Sequence, residues 1–146
     1  MELLLQHGDL YRNEIYGIFY KSLMNQHLNI SKYILEMYPQ IVKYIYYKHV
    51  FTQLCTQECH ESLQFLFENF SPHIIKIDKY VLNSKFTFLC RKNNLQMAIL
   101  LKKNIPSLCL NPQQFELFKK EFGNETLDWI ENGYPIPQIT KSSRNF

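Results

Sequence analysis

Two sets of side chains in this 146-residue sequence have types and spacings that chemistry uses. The first is Cys55-x-x-x-Cys59-His60, with Cys90 and Cys109 further along. Thiolates and imidazoles bind zinc, and a structural zinc takes four such ligands in a tetrahedron. The spacing is wrong for that use, because no C-x2-C pair opens the set. The second set is the histidines: His7, His27, His49, His60 and His73. A nucleophilic Cys or Ser needs a neighbouring His oriented by a third group, and these histidines are scattered. The sequence holds no G-x-S-x-G, H-E-x-x-H, P-loop or G-x-G-x-x-G motif, and its four glycines are too few for phosphate-cradling loops. The expectation is a protein that is not an enzyme, with no catalytic, cofactor-binding or metal-binding residue and no cofactor.

Basic groups come next. Arg91-Lys92, Lys102-Lys103 and Lys119-Lys120 could touch phosphates. Each pair also stands near an expected helix C-terminus, where positive charge complements the helix dipole. The net charge is only +3 and is spread along the chain, which does not make the concentrated stripe of a nucleic-acid binder.

The elements that position these residues are those of a globular chain. Hydrophobic residues make up 46% and charged residues 20%, and this length suits one domain with its own core. Apolar runs such as Leu3-Leu4-Leu5 fall far short of the ~20 residues a membrane helix needs. The start of the chain lacks the basic and apolar regions of a signal peptide. A cytoplasmic, reducing setting with free thiols is expected. Alanine occurs once, at Ala98, and lysine far outnumbers arginine, a bias of AT-rich genomes.

The ordering principle is a repeat. Pro39, Pro72, Pro106 and Pro135 are spaced by 33, 34 and 29 residues. Each follows an apolar helical segment (Ile30–Met37, Leu63–Phe70, Leu95–Lys103, Thr126–Asn132), and proline disfavours helix in the residue before it. Upstream stand Phe19, Phe51, Phe86 and Phe115, spaced by 32, 35 and 29. Four residues after the first three come Leu23, Cys55 and Cys90, on the same helix face. Lys119 takes that place in the fourth. Polar turns sit between the two helices of each unit: Asn25-Gln26-His27, Glu58-Cys59-His60, Lys92-Asn93-Asn94 and Gly123-Asn124-Glu125. Helix, turn, helix, proline, connector at about 33 residues is the pattern of a stacked solenoid, in which neighbours bury each other's apolar faces.

The stretch Gln26-His27-Leu28-Asn29-Ile30-Ser31-Lys32-Tyr33-Ile34-Leu35-Glu36 resembles the ankyrin turn and second helix, commonly written G-H-L-E-I-V-K-L-L-L-E. Residues 88–97 look like L-A-A-K-N-G-H-L-E-I. Asp128–Gly133 and Glu2–Asp9 look like the ending of a second helix that runs into glycine. The T-P-L-H opening is absent, and the connectors carry apolar residues such as Ile41-Val42-Lys43-Tyr44-Ile45-Tyr46-Tyr47 where the family has a polar β-hairpin. Residues 40–48 are read as a helical turn or a strand.

The resemblance implies an all-α, ankyrin-like solenoid of about four helix pairs, with β-hairpins degenerate or absent. One domain spans 1–138, with a partial unit at 1–10, units at about 15–39, 48–72, 83–106 and 112–135, and a flexible tail at 139–146. Similar divergent repeats occur in large cytoplasmic DNA viruses: poxviruses, mimivirus-like viruses and asfarvirus multigene families. The implied function is a non-catalytic protein–protein interaction module, a viral accessory protein that engages a host or viral protein in the host cytoplasm. The alternatives are a small structural or oligomer-forming component that self-associates through its N-terminal edge, or the C-terminal remnant of a longer repeat protein. Nucleic-acid binding ranks below these, and no membrane partner is expected. The run Tyr44-Ile45-Tyr46-Tyr47 reads either as an exposed contact site or as packing between units. If Phe86 is a buried anchor, Phe86→Ala costs about 3–5 kcal/mol in urea unfolding; a loss below ~1 kcal/mol would place the ring at the surface.

Overall fold

The computed structural model describes residues 9–137. Eight α-helices lie among them: α1 Asp9–Met24, α2 Leu28–Met37, α3 Tyr47–Thr56, α4 His60–Ile74, α5 Lys79–Arg91, α6 Leu95–Asn104, α7 Pro112–Phe118 and α8 Asn124–Glu131. Two 3-10 turns, Pro39–Tyr44 and Lys119–Glu121, complete the set, and no strand occurs among the described residues. The regular structure of the described residues is all helical. Residues 40–48 take the helical alternative. Helix α1 runs from Asp9, ahead of the expected unit start at about 15. Residues 1–8 of the expected partial unit and the tail 139–146 lie outside the described residues. No helix in the described part is long and apolar enough to cross a membrane.

Contacts divide the chain into two compact units, Met1–Lys85 and Phe86–Phe146. In the first, α1 pairs with α2, α3 pairs with α4, and α1 also touches α3. Its core holds Phe19, Leu23, Val50, Phe51, Leu54, Cys55, Leu63 and Leu66, all fully buried. Phe70 sits among rings, edge-on to Phe19 and Phe65 at 6.4 Å. In the second unit Phe86, Leu89, Cys90, Met97, Leu101 and Leu108 are fully buried. Phe86 meets Trp129 edge-on at 6.0 Å and Tyr134 at 5.7 Å. The Trp129 indole N–H donates to the carbonyl of Pro135 (2.6 Å), so its one polar atom is satisfied within the core.

Local geometry recurs at the helix ends. Gln26, Glu58 and Asn93 all adopt φ of 55–56°, the left-handed region. Around each, the amide of that residue bonds a carbonyl three back, and the next amide bonds one five back: Gln26 to Leu23 and His27 to Ser22, Glu58 to Cys55 and Cys59 to Leu54, Asn93 to Cys90 and Asn94 to Leu89. This is the Schellman ending, which closes the last open carbonyls of a helix. Glycine usually fills its left-handed position, because other residues are strained there. Phe19, Phe51 and Phe86 stand the same distance ahead of the three turns, and all three are fully buried.

A second recurring feature ends α2 and α6. Tyr38 and Ile105, each before a proline, leave the helical region at φ −134° and −132°, and each amide still bonds the carbonyl four back. Pro72 acts differently. The backbone kinks at Phe70 (φ −134°, ψ 22°), and helical structure resumes through Ile74. The fourth phenylalanine also departs from the pattern. Phe115 is half-buried on α7, a helix of 7 residues that buries none of them, and Phe122 is the buried ring, stacked on Phe115 at 5.9 Å. A charged Lys119 in place of Leu23, Cys55 or Cys90 removes the second apolar contact that would pull that helix inward.

The left-handed residues also join one helix pair to the next. Cys59 begins α4 but supplies no side-chain cap. Gln26 Oε1 fills that role, accepting from the amides of Glu61 (2.9 Å) and Ser62 (3.4 Å). Ser62 Oγ donates to the Leu23 carbonyl, and Cys59 Sγ donates to that of Met24 at 3.6 Å. In the second unit Thr126 Oγ1 donates to Asn93 Oδ1 (2.6 Å). Gly123, which begins α8, lies so close to the Asn93 amide that a Cβ would fall 2.1 Å from it. Replacing Gln26 with alanine keeps the strained backbone and loses the cap, so Gln26→Ala is expected to cost about 1–2 kcal/mol in chemical denaturation. Gln26→Gly loses the same cap but relieves the strain, and is expected to cost less than half as much.

Candidate interaction surface

The cysteine set does not converge. Cys55 is fully buried on α3, Cys59 is buried at the start of α4, Cys90 is buried on α5 and Cys109 is exposed. None is in a disulfide, and no group of three metal-ligating side chains occurs among the described residues. Burial pushes the Cys55 and Cys59 thiols up from their ordinary range and raises that of Cys90 to about 12. These three are therefore thiols at neutral pH, whereas metal binding and nucleophilic attack both use the thiolate.

Several basic groups are engaged inside the second unit. Arg91 Nε meets Glu121 Oε2 at 2.8 Å, and its guanidinium lies 4.1 Å over the Phe118 ring. Lys102 Nζ donates to the carbonyls of Pro106 (2.7 Å) and Leu108, closing the turn that follows α6. Lys119 pairs with Glu131 at 3.6 Å. Lys102 thus acts on carbonyls of the turn beyond α6, which ends at Asn104.

The structure divides the tyrosine run. Ile45 is buried. Tyr44 is half-buried under the Arg12 guanidinium, 3.7 Å from its ring centre. Tyr47 is half-buried: its hydroxyl donates to the Val42 carbonyl (2.7 Å) and its ring stacks flat on His73 at 4.4 Å. Tyr46 is 68% exposed. The run therefore divides into residues that pack and one ring that is open to solvent.

The first turns of α3 position the surface around Tyr46. Pro39 starts the 3-10 turn, Ile41 and Ile45 anchor it in the core, and Tyr46 then begins α3 at its N-cap. Tyr46, Tyr47, Lys48, His49 and Thr52 line an open groove of about 510 Å³. Helix α1 braces it from below. Tyr46 meets Tyr16 edge-on at 5.4 Å, and His49 stacks on Tyr20 at 5.4 Å. The Tyr16 hydroxyl is buried with no partner of hydrogen-bond geometry; burial raises its pKa, and only the Tyr46 backbone N–H opposes the rise. The sequence reading did not connect Tyr16, Tyr20 and His49 to this run. The available signal was the i, i+4 spacing of the two tyrosines against the i, i+3 spacing of Tyr46 and His49.

The groove offers aromatic faces, an imidazole, an ammonium and a hydroxyl. Such a set recognises a ligand by stacking, ion pairing and hydrogen bonding. Comparisons with protein families, with curated proteins and with solved structures found no match for this chain.

Burial pushes the Tyr47 phenol from 10.0 up to about 12. Between those values the unfolded chain has released this proton and the folded chain still holds it. Its contribution to stability is present below pH 10 and is lost as pH rises through about 12. We expect the urea midpoint to fall over that interval, and Tyr47→Phe to flatten the fall. The same variant is expected to remove one late-titrating phenol from the ultraviolet titration of the folded protein.

Proposed function

We propose that this chain is a non-catalytic protein–protein interaction module built as an ankyrin-like stack of about four helix pairs. Two observations support the repeat reading: three Schellman turns with the same left-handed geometry, and two matching breaks ahead of proline. The fully buried Phe19, Phe51 and Phe86 at equal distances from those turns support it as well. With the sequence resemblance, this reading makes the chain a viral accessory protein that binds a host or viral protein in the host cytoplasm.

The observation that carries the binding function is Tyr46. A large aromatic ring that stays 68% exposed beside the buried Ile45, braced edge-on by Tyr16, is a side chain kept available for contact. Tyrosine is enriched among the few residues that dominate interface energy, since its ring is rigid and its hydroxyl can pair. Lys48 and His49 beside it favour a partner segment that brings an apolar side chain together with a carboxylate. The alternative reading, a self-associating component, is favoured by a different surface, on α2.

Affinity capture of the tagged protein from cells, followed by mass spectrometry, tests the reading. One saturable protein partner is expected, and Tyr46→Ala is expected to weaken its binding at least ~10-fold, the size of a hot-spot loss. A partner held equally well by Tyr46→Ala would remove the groove from the reading. The absence of any saturable protein partner would remove the function.

A further inference from the structure

Helix α2 leaves open two positions that α4 and α8 bury. Counted from the helix start, Ile30 and Tyr33 stand where α4 has Ser62 and Phe65 and where α8 has Thr126 and Trp129. Those four residues are buried, and the two hydroxyls bond the preceding helix pair through the Leu23 carbonyl and Asn93 Oδ1. On α2 the same positions are apolar and open: Ile30 is 39% exposed, Tyr33 58%, and Met37, one turn on, 42%. The spacing i, i+3, i+7 places the three on one stripe of the helix. Ile18 of α1 is also open, although Val50, in the same register on α3, is fully buried.

We propose that this stripe is the contact surface for a second copy of the chain, joined through a two-fold axis near Tyr33. The charges beside the stripe select this occupant. Lys32 and Glu36 are both exposed on its solvent side, four residues apart. Two α2 helices packed antiparallel about Tyr33 place Lys32 of each copy next to Glu36 of the other, so the patch is electrostatically complementary to itself. Ile30 then meets the partner's Met37, and the two tyrosines meet at the centre. Closed two-fold pairing uses one patch twice and ends at the dimer. A contact built on three open apolar side chains belongs with small, weak interfaces, so the dimer forms at high concentration and dissociates on dilution. This inference does not depend on the Tyr46 groove, which lies on other elements.

Sedimentation of the full chain across a wide concentration range is the test. The mass is expected to rise from monomer to dimer and to stop there. Tyr33→Glu is expected to raise the dissociation constant at least ~10-fold while the helical circular dichroism stays unchanged. Lys32→Glu and Glu36→Lys each place like charges together at both contacts, and each alone is expected to weaken the dimer about fivefold. An equal mixture of those two variants restores opposite charges at both contacts, so a heterodimer is expected to form from chains that pair poorly by themselves. A monomer at every concentration overturns the proposal and leaves the stripe to another partner. Growth beyond the dimer, a dimer indifferent to Tyr33→Glu, or no recovery in the mixture overturns it equally.

Discussion

A left-handed backbone residue at the end of one helix, with its side chain reaching the start of a helix in the next pair, is the constraint on which the fold turns. The backbone part reverses the chain within three residues and closes the carbonyls of the helix just finished. The side-chain part joins neighbouring pairs. Gln26 serves the first turn of α4, where Cys59 cannot, and Asn93 receives Thr126 of α8. The strained φ aims the side chain away from its own helix, and the contact made there offsets the strain. Glycine would relax the backbone but leave the neighbouring helix start without its acceptor.

Around these turns each unit adds its own buried rings. Phe19, Phe51 and Phe86 fill the interior at matching distances from their turns, and prolines set where the second helices stop. The hydroxyls buried near the turns are all paired. Ser22 Oγ donates to the Phe19 carbonyl and lies 2.6 Å from Ser31 Oγ; since its one proton is used, Ser31 is the donor between them. Ser22, Ser31, Ser62 and Thr126 each enter the core with a partner, which offsets their desolvation cost.

Much of this was legible in the sequence because it is periodic. The phenylalanines, the i+4 contacts, the polar turns and the prolines each gave the same helix boundaries to within a few residues. Departures occur where one local residue outweighs the period. Lys119 keeps α7 from closing inward, so Phe122 is buried in place of Phe115. At Pro72 the chain kinks and then resumes as helix. The candidate surface was half legible. The tyrosine run was visible, but which of its members faces solvent depends on Ile41 and Ile45 taking the core positions. Tyr16, edge-on to Tyr46, and His73, stacked on Tyr47, lie on other helices, so these contacts depend on how those helices pack. The burial that keeps three cysteines protonated is likewise a property of packing, foreshadowed for Cys55 and Cys90 by their place in the leucine register but not for Cys59, which sits in a turn.

The fit between Gly123 and Asn93 has a consequence for how this chain can change. The two positions share one volume. With the Asn93 amide in place, position 123 has no room even for a methyl group. A smaller residue at 93 would free that space but also withdraw the acceptor from the Thr126 hydroxyl, so substitution at one site alters what is tolerated at two others. Residues 93, 123 and 126 should therefore drift as a linked set among descendants of this sequence. Their joint variation would record the contact in a way that no one of them, taken alone, could reveal.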